Sequence, residues 1–191
     1  MNLETLLKFA EPADMVLTGH KNPVSVGGVI QLLSGSEYSH GLFYVDSVTI
    51  AESTMDFKSY EKTGKRLDNG PQYNHLSNLK NVDYGVLVHF TQVTPYGRQC
   101  MLDEIDRIIA SKEYMYDITG LFGSLIAYRL KLKKNPLSTG KYCTNFTSGV
   151  KIKVLGDDYD PSPYYANNNT SPEMEYQWAL RSPDKVKLYY I

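Results

Sequence analysis

The sequence predicts an α+β fold, a small antiparallel sheet packed against helices. Two observations predict it. Segments 41–45, 48–52, 84–93 and 186–191 are rich in β-branched and aromatic residues and read as strands. Residues 94–109 and 116–132 repeat their apolar residues at three and four and read as helices able to cover a sheet. The 191 residues, 42% hydrophobic, suffice for one core, and no repeat or composition shift marks a boundary. One domain over 1–191 is expected.

Taken in order, Leu3, Leu6, Leu7 and Ala10 recur at helical spacing, so the chain opens on a short amphipathic helix, stopped by Pro12, that packs as a lid. Asp14 to Thr18 reads as a buried strand, and Pro23 to Leu33 as a helix closed near Gly35. The strands at 41–45 and 48–52 follow. Residues 62–81 are polar with an Asn-Gly-Pro signal and read as a long connection holding one short strand. Thr94-Pro95 is a cap followed by proline at the first helical position, and Met101, Leu102, Ile105, Ile108 and Ile109 form that helix's apolar face. In the next helix Ile118, Leu121, Phe122, Leu125 and Ile126 line up, and this face is expected to be core. Residues 157–169 are rich in Asp, Pro and Asn; Ser171-Pro172 then caps a short helix through Leu180, ahead of the strand at 186–191.

Charge and cysteine usage narrow the function. Lys and Arg number 20 against 21 Asp and Glu, and the densest basic run, Lys131, Lys133 and Lys134, reads as a solvated helix end, so nucleic acid is not an expected partner. The N-terminus has no basic-then-apolar pattern of an export signal, and no run reaches the about 18 apolar residues of a membrane span. A cytoplasmic or phage- or virion-associated location is expected. Cys100 and Cys143 are too few for a disulfide framework, and no Cys/His spacing suits zinc; the expectation is a reducing compartment, no metal and no cofactor.

The stretch EYSHGLFYV, residues 37–45, places a titratable ring at the start of an apolar strand. Glu52 lies twelve residues beyond His40 in the next strand. An odd-numbered loop centred on Asp46 sets His40 opposite Glu52 on one side of the sheet, where a carboxylate can hold one imidazole nitrogen and leave the other as a base. A two-residue turn at Asp46-Ser47 sets them on opposite faces, and with no glycine here the loop type stays open.

A base needs a nucleophile. Cys143 in TGKYCTNFTSGV follows a glycine-containing loop, with Phe146 and Val150 three and seven residues later, which suits a helix starting at the thiol. The unpaired N–H groups and dipole of such a terminus favour thiolate. Against a helix stand the Thr- and Val-rich composition and the strand-like alternation of VKIKVL, residues 150–155. Cys100 projects with Asp103 and Arg107, away from the apolar face, and reads as a bystander. His89 alternates with Leu87 and Thr91 and reads as structural; His20 and His75 sit in polar loops.

In order and separation these segments resemble the circularly permuted branch of the NlpC/P60 papain-like superfamily, which includes the YiiX/YaeF-type amidases. ADMVLTG (13–19), GSEYSHGLFYV (35–45), IAEST (50–54), YMYDITGLFG (114–123) and KYCTNFTSGV (141–150) resemble its successive motifs, histidine first and cysteine last. The resemblance implies a permuted papain-like fold with Cys143 as nucleophile, His40 as base and Glu52 as third member. Oxyanion donors would be the Cys143 backbone N–H and a tyrosine hydroxyl, Tyr116 or Tyr38. The chain departs from the pattern at Ala13, where glycine is usual, and at Thr144, where serine or glutamate is often found.

The function expected from the resemblance is a cysteine amidase or peptidase, a thiol hydrolase acting through a Cys143 thioester on a cell-wall (peptidoglycan) peptide or an N-acyl, lipid-like amide. An acyltransferase differs only in the acceptor. The alternative from another class is an inert papain-like binding or structural protein, for example a virion component, that uses the groove for a peptide or acyl chain.

Overall fold

All five residues of the strand Met15–Gly19 are buried. A strand achieves that only with neighbours at both edges and layers on both faces. The computed structural model describes residues 3–22, 26–54, 70–111, 118–129, 143–162 and 170–191. Its strands are β1 (Met15–Gly19), β2 (His40–Tyr44), β3 (Thr49–Thr54), β4 (Gly70–His75), β5 (Tyr84–Phe90) and β6 (Val186–Tyr190). They form one antiparallel sheet in the order β4-β3-β2-β1-β5-β6. The helices are α1 (Leu3–Phe9), α2 (Val26–Ser34), α3 (Pro95–Ser111), α4 (Ile118–Arg129), α5 (Cys143–Leu155) and α6 (Pro172–Arg181), with 3-10 turns at Leu76–Asn81 and Asp157–Tyr159.

Strand alternation splits the core in two. On one face Met15, Leu17, Phe43, Ala51, Val86 and Val88 pack with Met101 and Ile105 of α3, Phe146 and Val150 of α5 and Trp178 of α6. On the other, Val16, Leu42, Tyr44, Ile50 and Leu87 pack with Leu6 of α1 and with Leu76 and Leu79. The opening helix thus covers a sheet face, as its spacing predicts. Ser171 caps α6 as expected, its side chain accepting from the Met174 N–H.

The expected strand over 84–93 ends at Phe90, because the Phe90 N–H turns to Asp14 Oδ1 at 3.1 Å and α3 starts five residues on. Asp14 is fully buried and also takes Arg98 Nη1 and His89 Nδ1, both at 2.7 Å. This gives His89 the structural role read from its alternation. It also anchors the turn at Ala13, whose φ of 68° is the left-handed conformation that glycine adopts without strain. The α4 face departs from expectation: Leu121 is buried, but Phe122 and Ile126 are 38% and 48% exposed. The helix packs chiefly on α2 and not on the sheet, so only one strip of it is covered. The basic run at 131–134 and Tyr116 lie outside the described residues.

Candidate active site

The strand-like residues 150–155 continue a helix that starts at Cys143. Tertiary contacts override the β propensity, because Thr144, Asn145, Thr147, Ser148 and Lys151 are all buried polar groups that packing and hydrogen bonds must hold. Thr144 Oγ1 donates to the Thr170 carbonyl at 3.0 Å, and Ser148 Oγ to Glu175 Oε1 at 2.6 Å. Lys151 Nζ meets Glu175 Oε2, both side chains fully enclosed, and lies 4.2 Å from the centre of the Trp178 ring. Cys143 is therefore set at the first turn of a helix clamped along its length.

The hairpin between β2 and β3 has an odd-numbered loop, as the same-face pairing of His40 and Glu52 requires, but it is not centred on Asp46. Leu42 pairs with Glu52 and Tyr44 with Ile50, so the loop is centred on Ser47 and His40 is diagonal to Glu52, not directly opposite. Asp46 sets this loop by accepting from the N–H groups of Val48 and Thr49 through Oδ1. The diagonal is still within reach: His40 Nε2 lies 2.5 Å from Glu52 Oε2.

The β2–β3 ladder stops at Leu42–Glu52, although β3 runs on to Thr54 in register with β4. In the opening thus left beside β2, the Cys143 thiol comes under the influence of the His40 side chain and of the Gly41 and Thr144 backbone N–H groups. Because Nε2 is engaged by Glu52, Nδ1 is the ring nitrogen left for the thiol. By register, Glu52 shares its face with Leu42 and Ile50, while α5 packs on the opposite face. The end of the ladder is where one imidazole can meet both.

Electrostatics follow from this geometry. Burial pushes the Cys143 thiol up, but the His40 charge, its hydrogen bond and the Gly41 and Thr144 N–H groups bring it below the ordinary thiol value. For His40 burial pulls downward, and Cys143 followed by Glu52 overcomes it, raising the imidazole to about 10. Burial of Glu52 is likewise outweighed by hydrogen bonds from His40 and Asn74, which hold the carboxyl below its usual range. Each shift favours the charged form, thiolate at Cys143, imidazolium at His40 and carboxylate at Glu52.

At Gly41 the strand and α5 approach closely. A methyl there would lie 3.3 Å from Thr144 Cγ2 and 3.4 Å from Leu17 Cδ2. Gly41→Ala is expected to cost about 1–3 kcal/mol by overpacking, read from the urea midpoint, and to slow alkylation of Cys143 as the sulfur shifts from its donors.

Of the other residues read from the sequence, Tyr38 is buried with its ring centre 4.9 Å from Tyr176 and 6.2 Å from Tyr84. Burial, then Tyr176, Glu37, Tyr190 and Tyr84, push its hydroxyl well above the usual range. Cys100 is partly exposed. His75 caps the 3-10 turn by accepting from the Ser77 N–H, and His20 lies 3.8 Å from Asp83. Two site residues were missed by sequence reasoning, Gly41 and Asn74. A glycine directly after the histidine was visible, whereas Asn74 lies in a segment read as mostly connection.

No family model matches the chain, and no curated protein matches it. Among solved structures it is similar to metalloprotein yiiX from Escherichia coli, with a TM-score of 0.56 and 15% identity over 96% of this chain and 97% of that one. The likeness is one of fold. The α+β class with one antiparallel sheet is as the sequence predicts. YiiX is called a metalloprotein; here, among the described residues, no group of three or more His, Cys, Asp and Glu is placed to hold a metal ion. Among the same residues no helix is long and apolar enough to cross a membrane.

Proposed function

We propose that the chain is a cysteine hydrolase of the permuted papain-like type, cleaving an amide or ester bond through a thioester on Cys143. The observation that carries this reading is the grouping of the Cys143 thiol, at a helix N-terminus, with the His40 imidazole, whose Nε2 lies 2.5 Å from Glu52 Oε2. In the reaction the Cys143 thiolate attacks the substrate carbonyl, and the C=O pair moves onto oxygen. N–H groups at the start of α5, that of Cys143 among them, are suited to hold the oxyanion. The His40 imidazolium gives its proton to the leaving amine or alcohol as the C–N or C–O bond breaks, leaving a thioester. Neutral His40 then takes a proton from water, whose oxygen attacks the thioester; the acid leaves and the thiolate–imidazolium pair is restored.

The substrate classes that fit the resemblance are a cell-wall peptide and an N-acyl, lipid-like amide. Incubation with a panel of aryl esters and N-acyl amides, acid quench and peptide mass spectrometry are expected to find the acyl group on Cys143. Cys143→Ala is expected to abolish both adduct and turnover. No adduct from any activated ester, with the fold intact, refutes the hydrolase. Adding alcohols and amines tests the acyltransferase variant, which yields the transferred acyl product in place of the acid.

One observation favours a second reading, the inert binding or structural protein: Cys143 is wholly enclosed, with 0% exposure. That protein would bind peptide or acyl ligands equally well in wild type and in Cys143→Ala and form no adduct in either.

A further inference from the structure

We propose that Asn74 is a positioning residue of this site, holding the Glu52 carboxylate so that one oxygen stays aimed at His40. The inference rests on the reading of Cys143, His40 and Glu52 as one catalytic line. Asn74 Nδ2 donates to Glu52 Oε1 at 2.8 Å, while Oε2 of the same carboxylate engages His40 Nε2 at 2.5 Å. Each oxygen thus has its own partner, one from each neighbouring strand. An ionised carboxylate only accepts, so the amide must present its NH2 group, and the donor cannot be exchanged for a carbonyl without repulsion.

Register makes the arrangement specific. Asn74 pairs with Ile50 in the β3–β4 ladder, and Gln72, not Asn74, stands directly opposite Glu52. It is nevertheless Asn74, one diagonal step away, that binds the carboxylate. Continued two residues past its last pair, the β2–β3 register brings His40 level with Thr54. His40, Glu52 and Asn74 therefore lie along one diagonal across three strands, at the levels of residues 54, 52 and 50 of β3. Such a line fixes the carboxylate from both ends. Glu52 is 9% exposed, so an oxygen that lost its donor would have little water to replace it and would swing toward another group.

Two roles for Asn74 differ in sign. A neighbour that merely withdraws charge from the carboxylate would, on removal, leave Glu52 a stronger acceptor and raise the His40 pKa. A positioning residue would, on removal, loosen the carboxylate from the ring and lower it. The experiment is NMR titration of the His40 Cε1–H in wild type, Asn74→Leu and Glu52→Gln, with Cys143 alkylation by iodoacetamide at pH 7 beside it. Asn74→Ala is a smaller second variant should leucine impair folding.

The expected result is that His40 titrates lower in Asn74→Leu by about one pH unit, in the same direction as in Glu52→Gln, and that alkylation slows by about tenfold, a size usual for supporting partners of functional side chains. A His40 titration unchanged or raised in both Asn74 variants, with Glu52→Gln lowered, overturns the role of Asn74 and leaves the catalytic line standing. A His40 that ignores Glu52→Gln as well overturns both.

Discussion

In His40→Ala, the Cys143 thiolate is expected to fall sharply at neutral pH. In the wild type two opposing influences dominate this thiol: burial, which favours the neutral form, and the His40 charge with its hydrogen bond, which favours the thiolate. Removing the ring leaves burial against two backbone N–H donors, Gly41 and Thr144. Burial is the largest single influence and its main opponent is gone, so the thiol should titrate higher than in the wild type. Each unit of that change is a factor of ten in thiolate at fixed pH, and a loss of about tenfold or more at pH 7 is the expected result. Thiolate absorbance near 240 nm reads this without requiring reagent access, which matters because Cys143 is enclosed. Alkylation by peptide mass spectrometry reads it a second time, with Cys100 as the internal standard that should not change. Equal thiolate fractions in the two proteins would sink the ion pair.

The same pair sets an upper limit. His40 is raised to about 10, so the imidazolium persists through neutral pH and is lost as pH rises through about 10. Turnover should therefore climb with formation of the thiolate below the ordinary thiol pKa and fall above about 10, when no proton is left for the leaving group.

The second large effect lies in the core and not in the site. Lys151→Ala is expected to destabilise the protein by about 3–5 kcal/mol, measured by urea denaturation. Lys151 and Glu175 are both fully buried, and Glu175 accepts from Ser148 as well as from the lysine. Burial pushes the Lys151 ammonium down and Glu175 opposes it. Deleting one partner leaves an uncompensated charge in an apolar layer. Replacing both, as Lys151→Met with Glu175→Leu, removes the two desolvation costs together and is expected to cost far less than the single change. The double-mutant cycle gives the coupling directly, and additive costs would refute the ion-pair account.

Much of this was legible before folding. The strands at β2, β3, β5 and β6, the cap at Ser171, the Thr94-Pro95 helix start and the short strand inside 62–81 follow from local chemistry: β-branched and aromatic content, hydroxyl caps, proline at a helix start. The parity of the His40–Glu52 pair was legible only as a condition: an even spacing keeps two residues on one face if the loop is odd-numbered, and the fold supplied that loop.

The centre itself was not. It depends on Asp46 folding its carboxylate back onto two N–H groups. The exposure of Phe122 and Ile126 was also hidden, since periodicity reports that a helix has an apolar face and not which neighbour covers it.

Residue types alone were enough to mark His40, Glu52 and Cys143 as candidates and to predict the α+β class, and the resemblance joined the three into one site. Long-range packing was needed to make residues 143–155 a helix and not a strand, to seat the sulfur where the β2–β3 ladder ends, and to bring Asn74 behind Glu52. Each of those depends on burial and on partners tens of residues away. A buried helix full of Thr, Ser and Lys is stable only once Thr170 and Glu175 are in place to satisfy it, and no local pattern announces them.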